Sequence, residues 1–256
     1  MYSPTAPPLK QNRWASTPTL LPVAFLDYHL TVARTRVKIC GICRPPDAGA
    51  AASAGADAIG MVFDRDSGRH VSVDDAGAIL AAVGPFVTSV GLFVNASAGE
   101  IRSILGTVHL GAVQLHGDET PRLVAELKPI RVIKAVHLAA GDSATLAAWR
   151  AATADLQLTN LIGILLETPN RGPQRGGAGI ANDFAGLEAM QSAGDFAGLP
   201  PIIAAGGLTP ANVGEVVRLL HPFGVDVSSG VEGARREKSA DKIEAFVRAV
   251  RAADGQ

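Results

Sequence analysis

The sequence predicts an α/β fold: a closed eight-stranded βα barrel, a (βα)8 TIM barrel in a single domain. Three observations point there. From Arg36 onward, short β-branched runs alternate with Ala-rich, charge-bearing stretches of about 10–15 residues, the pattern of βαβ units on a parallel sheet. Eight such runs can be counted in the chain. The length, 256 residues, matches the roughly 250 that a full barrel needs.

The candidate strands are residues 36–40, 58–63, 88–93, 112–116, 131–135, 163–167, 201–205 and 224–227. Helical stretches between them include 45–54, 73–83, 121–127, 144–152, 210–220 and 241–252. Pro45, Pro121 and Pro210 fall where a first helical turn tolerates a missing N–H. An open doubly wound sheet has fewer strands and an early glycine fingerprint; no G-x-G-x-x-G follows the first strand here. Hydrophobic residues make up 47% of the chain but aromatics only 5%, so the interior is built from Ala, Val, Ile and Leu, as barrels are.

Composition narrows the function. A formal net charge of −1 and a pI near 6.6 provide no basic face for nucleic acid or an acidic membrane, which leaves a small molecule as the expected partner. The apolar stretch from Ala76 to Val94 is split by Gly84 and Pro85 into a helix end and a strand start, so it does not read as a membrane span. Two cysteines cannot staple a secreted scaffold, and a reducing cytoplasm is expected. Residues 1–35 carry five prolines, one acidic residue, Asp27, and no clear period. They are expected to form a poorly ordered, flexible N-terminal extension to a catalytic domain at 36–256. A leader peptide is disfavoured there, because Pro22 interrupts the apolar run and Asp27 ends it.

Barrel active sites lie at the C-terminal strand ends. The polar residues there are Lys38, Cys40 and Cys43; Asp64, Asp66 and Arg69; Asn95; Gln114, His116 and Asp118; Lys134; Glu167; and Asp226. The Gly-rich turns after the last two strands, A-A-G-G-L-T (204–209) and D-V-S-S-G-V-E (226–232), occupy the usual barrel position for a phosphate. Backbone N–H groups of Gly206, Gly207, Leu208, Ser228, Ser229 and Gly230, with the positive end of a short helix, would hold the anion.

Seven strings carry a family resemblance: R-V-K-I-C-G-I (36–42), G-A-D-A-I-G-M-V-F (55–63), S-G-R-H-V-S (67–72), V-G-L-F-V-N (90–95), V-Q-L-H-G-D-E (113–119), G-G-L-T-P-A-N-V (206–213) and V-D-V-S-S-G-V-E (225–232). In this order they resemble phosphoribosylanthranilate isomerase. The resemblance implies an Amadori rearrangement of N-(5-phosphoribosyl)anthranilate to 1-(2-carboxyphenylamino)-1-deoxyribulose 5-phosphate in tryptophan biosynthesis, without metal or cofactor. That chemistry asks for an acid to open the ribose ring, a base to remove the C2′ proton, and a cation for the anthranilate carboxylate. By resemblance, Cys40 is the base, Arg69 the anthranilate clamp and Glu167 the acid, with Lys38, His116 and Asp226 around the substrate. Asp226 is also the reserve acid.

Two departures stand out. The family reads L-L-D where this chain has L-L-E at Glu167. The extra methylene moves the proton donor by about 1 Å or more, a displacement that can cost on the order of 10²-fold in rate, unless the R-G-G-A-G segment (175–179) shifts to compensate. Cys43 replaces the family's usual Thr, which creates C-G-I-C. A redox dithiol or half a zinc site would need partners that the spacing does not offer. A reversible Cys40–Cys43 disulfide that regulates the enzyme remains an expectation. The alternative functional reading is a phosphosugar-binding paralogue with low activity or a different phosphosugar. A monomer and a homodimer are equally compatible with the sequence.

Overall fold

The computed structural model describes residues 34–138, 141–167, 183–234 and 236–255. Residues 1–33 of the expected extension and the R-G-G-A-G segment at 175–179 lie outside the described residues. Eight parallel strands close in sequential order into a barrel, β1 pairing with β8. They are β1 (Arg36–Ile39), β2 (Ala58–Val62), β3 (Thr88–Phe93), β4 (Ala112–Leu115), β5 (Val132–His137), β6 (Leu161–Glu167), β7 (Ile202–Ala204) and β8 (Gly224–Val227).

Each strand is followed by a helix on the outer surface: α1 (Pro45–Ser53), α2 (Val73–Ala81), α3 (Ala98–Leu105), α4 (Pro121–Glu126), α5 (Ser143–Asp155), α6 (Phe184–Ser192), α7 (Val213–Leu220) and α8 (Ala240–Ala253). Pro45 and Pro121 open α1 and α4. Pro210 does not open α7, which starts at Val213 behind Asn212. Asn212 Oδ1 accepts from Thr209 N (2.7 Å) and its Nδ2 donates to Gly207 O (3.0 Å). The residues from Gly207 to Asn212 are therefore a fastened turn, and Val213 N reaches back to Thr209 O (3.1 Å) just ahead of the regular helix. A small hairpin, β9 (Glu232–Ala234) with β10 (Glu237–Lys238), follows β8.

Helix boundaries follow from capping chemistry. Ser72 caps α2 and Ser97 caps α3, each in a reciprocal box with the acidic residue three positions on, Asp75 and Glu100. The side-chain oxygen satisfies an orphan N–H of the first turn, worth about 1 kcal/mol.

The core has two layers. Ile39, Ile59, Met61, Ile101, Leu115 and Phe246 are fully buried between strands and helices; removing each such side chain from water contributes about 1.5–3 kcal/mol. Inside the barrel, Val90, Ala112, Ile133, Ala135, Leu165, Ile203 and Ala205 fill the lower part. Cys40, Val62 and Leu92 form a smaller apolar group above them.

Ionic contacts close the opposite, N-terminal end. Arg34 forks onto Asp57, whose Oδ2 also accepts from Val37 N (2.9 Å). Thr35 donates from its backbone N (2.9 Å) and hydroxyl (2.7 Å) to Asp254 in the C-terminal residues. Arg34 and Thr35, grouped with the extension in the sequence, are thus bonded to the barrel.

Candidate active site

Side-chain alternation decides which residues reach the barrel mouth. On β1, Val37 and Ile39 pack toward the helices, so Lys38 and Cys40 point inward. The same period sends Gln114 and His116 inward from β4, His137 from β5, Glu167 from β6, and Asp226 and Ser228 from β8. These side chains form a polar ring above an apolar plug.

Lys38 and Cys40 meet over Gly60. A Cβ at position 60 would lie 2.8 Å from Cys40 Sγ and 3.1 Å from Lys38 Nζ, so only glycine leaves room for both groups. Lys38 is buried and donates to Asp226 Oδ1 at 2.8 Å. Burial opposes its charge, but Asp226 and Cys40 together hold its ammonium well above the ordinary lysine value. Cys40 is 6% exposed. Burial pushes its thiol up and Asp226 adds to that, while Lys38 pulls it down by charge and hydrogen bond; the net shift is upward. The positive charge around Cys40 is largely neutralised from within, because Lys38 is paired with Asp226 and Arg69 with Glu232.

The second of these cations is Arg69. Its Nε and one terminal nitrogen bond the two oxygens of Glu232 at 2.6 and 2.9 Å. A bidentate fork of this kind is the strong form of the pair, and it occupies one edge of the guanidinium. Lys238, whose side chain is fully buried, donates to the same Glu232 oxygen (3.0 Å) and to Ser228 O (3.0 Å). The stem of Arg69 lies over Gly41, where a Cβ would be 2.5 Å from Arg69 Cδ and 2.9 Å from Ser228 Oγ. Arg69, Ser228 and Cys40 thus converge at one side of the mouth. Glu232 and Lys238 were not singled out as site residues from the sequence.

Glu167 lies at the end of β6. Its Oε2 is 3.0 Å from His116 Nε2, and His116 Nδ1 is 2.9 Å from Gln114 Nε2. Burial would raise the Glu167 carboxyl, but the hydrogen bond from His116, aided by the charge of Lys38, holds it below the usual glutamate value. His137 lies beyond the strand that the sequence predicts at 131–135, because β5 runs two residues further. Its ring meets His116 edge-on at 5.3 Å, and burial together with His116 pushes it below the ordinary histidine value.

Lys134 corrects the sequence reading. It was expected to face the pocket, but β5 buries Ile133 and Ala135 inside the barrel, so Lys134 points to the other face. There it donates to Gly117 O (2.7 Å) and Glu119 Oε2 (2.8 Å). Glu119 in turn accepts from Asn95 N (2.8 Å) and Gly117 N (3.0 and 2.9 Å), which braces the loop behind His116. The pair is nearly solvent-free, at 4% and 2% side-chain exposure. Lys134→Met strands the Glu119 charge and is expected to cost about 3–5 kcal/mol, read as a fall in Tm of about 10 °C.

The two final turns form one surface. Gly206 and Gly207 have φ of 88° and 65°, and among the described residues the N–H groups of Gly206, Gly207 and Leu208 donate to no protein acceptor. The other turn begins at Ser228 and runs into a short 3-10 helix, Ser229–Val231. A Cβ on Gly230 would overlap the carbonyl oxygen of Leu208, so the two turns are in backbone contact.

Cys43 lies apart from Cys40. Its Sγ donates to Gly41 O (3.6 Å) and Arg69 O (3.4 Å) and it packs against the outer core, whereas Cys40 belongs to the inner group. Both thiols are free. Among the described residues no cluster of three or more His, Cys, Asp or Glu is arranged to hold a metal ion. No helix among them is long and apolar enough to cross a membrane.

The chain is similar to known proteins in sequence and fold. The profile of the N-(5′-phosphoribosyl)anthranilate (PRA) isomerase family matches residues 37–249. The N-(5′-phosphoribosyl)anthranilate isomerase of Pseudomonas putida F1 is 47% identical over 222 residues, covering 87% of this chain and all of that protein. Its Pseudomonas fluorescens SBW25 counterpart is 46% identical over 226 residues, 88% of this chain and 99% of the relative. The solved phosphoribosyl anthranilate isomerase of Thermotoga maritima superposes with a TM-score of 0.73 at 33% identity, covering 85% of this chain and 99% of that one. A further solved isomerase, in complex with reduced 1-(o-carboxyphenylamino)-1-deoxyribulose 5-phosphate, gives 0.68 at 34% identity, with the same coverage. Since the profile runs from the first barrel strand into the last helix and takes in Cys40, Arg69, His116, Glu167 and both glycine turns, the chain belongs to the N-(5′-phosphoribosyl)anthranilate isomerase family.

Proposed function

We propose that the chain carries out its family's isomerisation, a step of tryptophan biosynthesis, by the following division of labour. Glu167, in its protonated form, delivers a proton to the ribose ring oxygen as the anilino nitrogen pushes the ring open to an imine. Cys40, as thiolate, removes the C2′ proton and leaves an enolamine. The Cys40 thiol returns its proton to C1′ and the enol O–H gives its proton back to the Glu167 carboxylate, which yields the ketone and resets both groups. Arg69 takes the anthranilate carboxylate on the guanidinium edge that Glu232 leaves open. Gly206, Gly207, Leu208, Ser228, Ser229 and Gly230 cradle the phosphate.

The observation that carries this reading is the reach of Lys38. Its ammonium and the Cys40 sulfur share the space over Gly60, where a Cβ would lie 3.1 and 2.8 Å from them, and its charge also acts on the carboxylate of Glu167, which supports a base on β1 and an acid on β6 that serve one sugar ring. Lys38 and Asp226 hold the sugar hydroxyls from below, and His116 supports Glu167. The substrate is a small phosphorylated molecule, handled in the cytoplasm without cofactor by a monomer or homodimer.

The test is turnover of N-(5′-phosphoribosyl)anthranilate by the purified chain. A kcat below about 10⁻² s⁻¹, well under the 1–10³ s⁻¹ usual for enzymes, would favour the binding paralogue. For the phosphate cradle, Gly230→Ala is expected to push the two turns apart. Losing one N–H bond to an anion costs about 1.5–3 kcal/mol, read as a KM raised about tenfold or more at near-constant kcat. An unchanged KM moves the phosphate elsewhere.

A further inference from the structure

Glu167 cannot be understood alone, because its partner His116 is itself held from behind. A carboxylate only accepts, so His116 Nε2, 3.0 Å from Glu167 Oε2, carries the proton of that bond. In a neutral ring Nδ1 is then an acceptor, and the group facing it at 2.9 Å is the amide nitrogen of Gln114, a donor. Gln114 is fully buried, and its other terminal atom, Oε1, has no partner among the described residues. A buried unpaired acceptor costs on the order of 1–3 kcal/mol, and turning the amide over would only exchange one orphan for another while setting a lone pair against Nδ1. The amide is thus kept in the orientation that suits His116 and leaves its own oxygen unsatisfied.

We propose that Gln114 is a positioning residue for the acid step, one that fixes His116 in the neutral tautomer protonated on Nε2 and thereby decides which oxygen of Glu167 carries the catalytic proton. With Oε2 permanently engaged by the Nε2–H, the mobile proton sits on Oε1, the oxygen left for the substrate. A proton on Nδ1 would run into the Gln114 amide hydrogens in this orientation of the amide, so Gln114 works against a second ring proton and keeps the transferable proton for Glu167. The other groups facing this pair are His137 from β5 and Lys38 from β1, itself paired with Asp226 from β8. Lys134 acts only from the outer face of β5. None of these touches Nδ1, so the tautomer is Gln114's to set. The inference rests on Glu167 being the acid.

Gln114→Glu tests it, with Gln114→Met as a second variant that removes the donor without adding charge. ¹⁵N NMR of the imidazole in the unliganded wild-type protein should show His116 protonated on Nε2 and bare on Nδ1 at pH 7. Gln114→Glu should show both nitrogens protonated, and Gln114→Met a mixture of tautomers. In Gln114→Glu, kcat should fall about tenfold or more, part of the 10²- to 10⁴-fold that acid–base catalysis supplies. KM should change less than about threefold, and the high-pH limb of the kcat profile should move to lower pH. Wild-type His116 protonated on Nδ1, or a Gln114→Glu enzyme with a charged His116 and an unmoved pH profile, overturns the proposal. A Glu167→Gln enzyme with full activity overturns the underlying acid assignment whatever the NMR shows, so the two failures are distinguishable.

Discussion

Cys40→Ala is expected to lower kcat/KM for N-(5′-phosphoribosyl)anthranilate by at least 10²-fold, with KM changed by less than about threefold. The base must approach a C–H bond, and on the β1 side of the mouth Cys40 Sγ is the deprotonatable group, set beside Lys38 Nζ over Gly60. The smaller side chain leaves Gly60 unstrained, so the loss is chemical and not a folding defect; equal melting curves verify this. Because burial holds the thiol above the ordinary cysteine value, the thiolate is a minor species at neutral pH and its fraction rises about tenfold per pH unit below the shifted value. Iodoacetamide alkylation of Cys40 should therefore accelerate with pH, with a midpoint above the roughly 8.5 of a free thiol. Lys38→Met should move that midpoint further up, since Asp226 would then face the sulfur without its counter-ion. A Cys40→Ala enzyme within about threefold of wild type would remove the base from the mechanism.

The strands were legible because a parallel barrel needs short apolar runs at a regular interval, and turn residues such as Gly84-Pro85 and Asp118 mark where each run stops. What the sequence hid is the facing of side chains on strands buried on both sides. In V-I-K-A-V-H, apolar residues occupy both parities, so nothing local says whether Lys134 or His137 looks inward. The structure resolves it through Ile133 and Ala135 in the inner layer, which sends Lys134 to Glu119 and brings His137 to His116. Glu232 and Lys238 were hidden for another reason. Glu232 meets Arg69 across 163 positions of chain, and Lys238 joins Glu232 through a hairpin too short to carry a pattern. The capping box S-A-G-E at Ser97–Glu100 was a readable signal for α3 that the strand count left unused.

Glu167→Gln should reduce kcat by 10²-fold or more, and Glu167→Asp should retain activity within about tenfold of wild type. The amide of Gln is nearly the shape of the carboxyl and can still accept from His116 Nε2, so packing survives and the transferable proton alone is lost. Asp keeps the acid but draws it back by about 1 Å or more, which lengthens the 3.0 Å bond to His116 and weakens the main influence that holds the Glu167 carboxyl down. The sign follows. With less help from His116 the Asp variant is protonated to higher pH, so the descending limb of its kcat profile should lie to the right of the wild-type limb. The glutamate therefore exchanges proton occupancy for acid strength: its carboxyl is less often protonated at neutral pH, but each protonated molecule is a stronger donor to a weakly basic ring oxygen. Two measurements decide it, the pH dependence of kcat for wild type and Glu167→Asp, and the residual rate of Glu167→Gln. Coincident limbs would mean that His116 does not tune the acid, and a fully active Glu167→Gln would pass the acid role to Asp226, whose carboxylate already lies 2.8 Å from Lys38 beneath the same ring.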